Sequence, residues 1–188
     1  FVIICLKNNN YFFVIVAIKN DNNLNYVYNI TVILSKENNM LVTKKAPQFS
    51  AEAVMPDGSF KQLNLSDFSG KKVLLFFYPL DFTFVWPSEL IAFDHRIDEF
   101  EKRNTQVLGC SVDSQFSHLK WREMDINSGG IGPVKYPLIA DLDKSIARSY
   151  DVLLESQPAI VETEDENIES TTIKGKVSLR ATFLIDEE

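Results

Sequence analysis

The sequence predicts an α/β domain built on a parallel strand pair joined through a helix. Three observations carry this. Val73-Leu74-Leu75-Phe76-Phe77 is an unbroken apolar run, the mark of a buried strand. Leu90, Phe93, Ile97 and Phe100 recur at spacings of three and four, which gives one apolar stripe along a single amphipathic helix. Thr105 to Val112 is a second buried run, and a strand, helix and strand in that order imply a parallel pair with a right-handed crossover. The chain has 188 residues, 45% apolar and 24% charged, enough for one globular domain with a sizeable core.

Residues 1 to 39 differ from the rest. Ten of them are Asn, and no clear period emerges. Tyr11 to Ile18 has the character of a signal-peptide centre, whereas a mitochondrial leader is disfavoured because the first Arg is Arg96. The alternative, which we expect, is a poorly ordered extension or sequence not normally part of the protein. The folded domain is expected from Met40 to residue 188. Phe49 to Val54 is a candidate strand, Met55-Pro56-Asp57-Gly58 has hairpin-turn chemistry, and Leu63 to Gly70 reads as a connection. Beyond the central unit, Ser114 to Met124 is expected to be a helix carrying His118 and Trp121. Asn127 to Pro137, with three Gly and two Pro, is expected to be a loop. Leu138 to Ala140 then reads as a strand, Asp143 to Tyr150 as a helix and Leu179 to Ile185 as the last strand. About 155 to 175 lies an acidic insertion: Ser149 to Ile173 contains no Lys or Arg, the pattern of a solvated, mobile loop.

The net charge of −7 argues against nucleic acid or an anionic membrane surface as partner. No apolar run approaches the roughly 18 residues of a membrane span. The two cysteines, Cys5 and Cys110, lie far apart in apolar settings, which is neither a disulfide framework nor a metal site. Cys110 is expected to be a small buried hydrophobe. His118 is expected to satisfy a helix-surface or interface hydrogen bond rather than act as a general base, and Trp121 to pack in the core or an interface.

The segment between strand and helix, Tyr78-Pro79-Leu80-Asp81-Phe82-Thr83-Phe84-Val85-Trp86-Pro87-Ser88-Glu89-Leu90, carries the chemistry. A strand turning into a helix N-terminus aims unpaired N–H groups at one spot, and the helix dipole favours an anion there. This string resembles the active-site loop of the peroxiredoxins, in particular the typical 2-Cys subgroup of the bacterial alkyl hydroperoxide reductase C type. The resemblance covers about Met40 to Asp186, interrupted by the acidic insertion. It implies a thioredoxin-like fold, here expected to be truncated at its C-terminus, with the strand, helix and resolving cysteine that follow in the family lacking.

The resemblance also implies the site. The family's peroxidatic cysteine falls at Trp86. Pro79 matches the proline that shields the thiol, Thr83 the threonine that orients peroxide, Arg180 the arginine that stabilises the thiolate, and Glu89 a carboxylate that positions this arginine. Indole has one N–H donor and no nucleophile, and its bulk overfills a thiol's place. The chain as written is therefore expected to lack thiol peroxidase activity. Gly129-Gly130-Ile131-Gly132 is similar to the family's Gly-Gly-Leu-Gly loop. The family function is reduction of hydrogen peroxide and organic hydroperoxides, with thioredoxin or a similar dithiol as reductant and without metal, haem or flavin. The partners implied are the peroxide, the dithiol protein and further copies in a homodimer or decamer. The rival reading is a non-catalytic peroxiredoxin-like chaperone or oligomer subunit, or a gene fragment. A start at Met40 implies the cytoplasm, while a translated leader in 1 to 39 would direct the protein to an organelle or out of the cell.

Overall fold

The computed structural model describes residues 2–8, 11–17, 27–32, 41, 44–83, 87–154, 159–161, 171–173 and 176–187. Its centre is a six-stranded mixed sheet. The strands and helices, in chain order, are β1 (Val2–Asn8), β2 (Tyr11–Ala17), β3 (Val27–Val32), β4 (Ser50–Val54), β5 (Phe60–Asn64), β6 (Lys72–Phe77), α1 (Pro87–Asp94), α2 (Ile97–Glu101), β7 (Thr105–Ser111), α3 (Gln115–Glu123), β8 (Leu138–Ala140), α4 (Ser145–Ser149), β9 (Leu153–Leu154), β10 (Ala159–Val161), β11 (Thr171–Ile173), β12 (Val177–Ser178) and β13 (Ala181–Ile185). The central order is β13-β6-β7-β8-β4-β5. As the strand–helix–strand pattern requires, β6 and β7 are parallel, with Phe77 opposite Cys110.

Both central strands are buried on two faces, which is why Val73 to Phe77 reads as an unbroken apolar run and Val107 to Cys110 carries no charged side chain. One face packs Leu75, Phe77, Leu108 and Cys110 against Ile146, Ala147, Tyr150 and Val152. The other packs Leu74, Phe76 and Val107 against Leu90, Ile97, Phe100, Trp121 and Tyr136. The hairpin reading of Met55 to Gly58 holds: Met55 N–H donates to Ser59 O at 2.8 Å, and Gly58 takes φ +82°, where a side chain would be strained.

Four expectations are corrected. The stripe from Leu90 to Phe100 is not one helix. It breaks at His95 and Arg96, where Arg96 N–H closes on Phe93 O and Arg96 adopts φ −114°, ψ 11°. Leu90 and the Ile97–Phe100 pair still reach the same core, so the spacing survives the break. Leu63 belongs to β5, opposite Ala51, and only Leu65–Phe68 forms the short 3-10 connection. The helix predicted from Asp143 begins at Ser145, because Asp143 and Asp141 stay outside it and accept from Ser145, Ile146 and Ala147 N–H. The last strand is interrupted: Leu179 and Arg180 lie between β12 and β13. β12 pairs with β9, whereas β13 pairs with β6, and the chain must turn between the two partners.

Within residues 1 to 39, β1, β2 and β3 form an antiparallel sheet of their own. Runs such as Val2-Ile3-Ile4 and Val14-Ile15-Val16 have the β-branched character that suits strands. In the acidic insertion, β10 and β11 pair antiparallel, and the remainder from 155 to 175 lies outside the described residues.

Candidate active site

β6 delivers the chain to Tyr78, whose N–H donates to Cys110 O on the neighbouring strand at 3.1 Å. The loop then leaves the sheet, and α1 begins at Pro87, a residue suited to the first helical position because its missing N–H is not needed there. Trp86, with Phe84 and Val85, lies outside the described residues. Pro79 and Thr83 are half-buried, and the Thr83 hydroxyl donates to Leu80 O at 3.0 Å.

The structure brings Glu89 and Arg180 together. Arg180 Nη1 lies 3.7 Å from Glu89 Oε2. Burial pushes the Glu89 carboxyl up, opposed by the Arg180 charge. Burial likewise pulls Arg180 down, opposed by Glu89. A cation held beside the N-terminal turn of α1 makes this end of the helix favourable for an anion.

Sequence reasoning misplaced His118. It is fully buried, not on a helix surface, and it anchors the loop. Its Nδ1 is 2.7 Å from Asp81 Oδ2, and its Nε2 faces Ile139 O at 3.1 Å. The carbonyl can only accept, so Nε2 carries its hydrogen, and one further proton is held between Nδ1 and Asp81. Asp81 also accepts from the Tyr78 hydroxyl at 3.0 Å, and its N–H donates to Asp113 Oδ2 at 2.8 Å. Burial pushes the Asp113 carboxyl up, and the neighbouring Asp81 charge adds to this. Within the loop sits Phe82 at φ +58°, an uncommon conformation for a bulky residue. Its ring lies 5.9 Å from that of Trp121.

A second anchor holds α1 from behind. The Tyr136 hydroxyl donates to Leu90 O at 2.8 Å, and Lys135 N–H donates to Asp94 Oδ1 at 2.6 Å. Arg122 donates to Tyr136 O and to Pro56 O, tying this loop to the β4–β5 turn. Trp121 is core, as expected, with its indole N–H on Gly129 O at 2.9 Å. Gly130 is required by close approach, since a Cβ there would collide with the Met124 carbonyl. None of these partnerships has a local sequence signal, because each joins residues brought together by the fold.

Cys110 is fully buried, and burial pushes its thiol well above the usual range. It is expected to resist alkylation at pH 8 in the folded protein and to react once the chain is unfolded, as mass spectrometry would read. Rapid labelling of the native state would contradict this. Among the described residues, no group of three or more His, Cys, Asp or Glu is placed to hold a metal ion. No helix there is long and apolar enough to cross a membrane.

Comparison with known proteins identifies the family. The model of the AhpC/TSA family matches residues 42–188. A chloroplastic 2-Cys peroxiredoxin BAS1 of Hordeum vulgare is 50% identical over 149 residues, covering 79% of this chain and 62% of the relative. A mitochondrial thioredoxin-dependent peroxide reductase of Drosophila melanogaster is 49% identical over 145 residues, covering 77% and 54%. The chain thus spans between half and two thirds of the length of these relatives. The reduced 2-Cys peroxiredoxin of Plasmodium vivax superposes with a TM-score of 0.65 at 48% identity, covering 77% of either chain.

Proposed function

Because the chain belongs to the AhpC/TSA family, among its typical 2-Cys peroxiredoxins, we propose that its site is the pocket of a thiol peroxidase whose nucleophile position is held by Trp86. The domain so built is residues 40–188, with 1–39 as an extension outside it. The observation that carries the reading is the Glu89–Arg180 pair at the start of α1, beside position 86 in the chain.

The substrates are hydrogen peroxide and organic hydroperoxides. With a cysteine at position 86, the thiolate attacks one peroxide oxygen, the O–O bond breaks, and the departing oxygen takes a proton. The cysteine is oxidised to sulfenic acid and the peroxide is reduced to water or an alcohol. A second thiol then condenses with the sulfenic acid to a disulfide, which a thioredoxin-type dithiol reduces. Arg180 supplies the positive charge that favours the thiolate, Glu89 positions Arg180, Thr83 offers a hydroxyl to the peroxide, and Pro79 shields the site from water. With tryptophan at 86 there is no thiolate to start this sequence. The purified chain, given thioredoxin, its reductase and NADPH, is expected to consume hydrogen peroxide no faster than a protein-free control. Turnover above the control would overturn the assignment of Trp86 as the blocked position.

Trp86 also favours a second reading, a non-catalytic peroxiredoxin-like chaperone or a subunit of mixed oligomers. A homodimer or decamer is the assembly proposed, to be read by light scattering. The relatives named above carry chloroplastic and mitochondrial designations, so membership assigns no single compartment. The cytoplasm is our proposal for a product beginning at Met40.

A further inference from the structure

Arg180 does not sit on a regular strand, and something must hold it at Glu89. The β13–β6 ladder ends at the pair Ala181–Phe77, so Tyr78 lies one residue past it. On the far side of the break, Leu179 N–H donates to Val152 O at 2.6 Å and Ser178 pairs with Leu153 in β9. Arg180 is therefore the hinge of a chain pulled toward two different strands. One side-chain contact closes this hinge: the Ser178 hydroxyl donates to Tyr78 O at 2.5 Å. Ser178 is 1% exposed, and the contact joins residues 100 apart in sequence. Its acceptor is the carbonyl of the residue that precedes Pro79, where the active-site loop begins.

We propose that Ser178 is a positioning residue for Arg180, joining the arginine's segment to the root of the active-site loop so that the guanidinium reaches Glu89. An alanine there leaves Tyr78 O to find another donor in a buried place, and the kink that presents Arg180 loses its closing bond. The catalytic consequence rests on the peroxidase reading given above; the geometric one does not.

The test uses the chain with Trp86 in place and follows the Glu89 carboxyl by carbon NMR. Arg180 opposes the upward push of burial on Glu89, so loosening Arg180 raises the midpoint further. Arg180→Met sets the full extent of that rise. Ser178→Ala is expected to raise the midpoint toward the same value, by about half a pH unit or more, and Ser178→Thr, which keeps the hydroxyl, to restore it. In the Arg180→Met background, Ser178→Ala is expected to move it no further. An unchanged midpoint in folded Ser178→Ala, or an equal rise with and without Arg180, overturns the proposal. Should Ser178→Ala fail to fold, Ser178→Cys, nearly isosteric but a weak donor, carries the same comparison. In a Trp86→Cys protein, Ser178→Ala is further expected to slow the reaction with hydrogen peroxide about tenfold, the effect of about 1.4 kcal/mol, and an unchanged rate counts against the proposal. If Trp86→Cys is itself inert, the peroxidase reading falls, while the titration still decides the role of Ser178.

Discussion

Trp86→Cys is expected to convert an inert chain into one that reacts with a single equivalent of hydrogen peroxide, about 10³-fold or more faster than the unchanged protein. The scale follows from what nucleophiles contribute elsewhere, where removing one costs as much as ~10⁶ in rate. An ordinary cysteine has a pKa near ~8.5 and is mostly protonated at neutral pH. Position 86 immediately precedes Pro87, the first residue of α1, in the chain, and Arg180 lies 3.7 Å from Glu89 in the first turn of that helix. Both the helix end and the guanidinium favour the anion. Stopped-flow mixing with peroxide, followed by detection of sulfenic acid, is the measurement. A charge-assisted hydrogen bond contributes ~1.5–3 kcal/mol, so Arg180→Met in the same background should slow the reaction about ten- to a hundredfold. If the introduced thiol behaves like a free cysteine at every pH, the pocket is not arranged for catalysis, and the non-catalytic reading takes its place.

Removing the imidazole of His118 is the second large effect, here on stability. Both side chains of the His118–Asp81 pair are fully buried. His118→Leu keeps much of the volume but leaves the Asp81 carboxylate with the Tyr78 hydroxyl as its side-chain partner, and Ile139 O without its ring donor. Breaking one side of a buried pair costs ~3–5 kcal/mol. For a chain of this length each kcal/mol lowers the melting temperature by about 2–4 °C, so a fall of roughly 6–20 °C is expected. Hydrogen exchange should rise most at residues 80–83, because Asp81 is the loop's tether. A fall of under about 2 °C, or exchange unchanged in the loop, would show that the pair is not the anchor the geometry indicates. Asp81→Asn with His118→Leu should be milder than His118→Leu alone, since it removes the stranded charge.

The two central strands, the helical character of the segment between them and the Met55 to Gly58 turn were legible in the chain because their signals are local. Val73 to Phe77 is apolar throughout, and Val107 to Cys110 within the second run likewise, because both faces of the sheet are covered. The Met55 to Gly58 turn is legible because glycine alone takes a positive φ there without strain. The loop motif singled out Pro79, Thr83 and Glu89 by resemblance, and the separate run Ser178 to Phe183 singled out Arg180; the structure brings Glu89 and Arg180 to 3.7 Å. What the chain could not disclose depends on which distant groups meet. The helix break at His95–Arg96 leaves the apolar spacing intact, so periodicity cannot detect it. The interruption at Leu179–Arg180 follows from β12 and β13 pairing with different strands. His118 reads as a polar residue on an amphipathic helix until the fold places Asp81 and Ile139 O against its two nitrogens. A buried polar side chain takes its role from its partners, and with Asp81 37 residues and Ile139 21 residues away, only the tertiary structure brings those partners together.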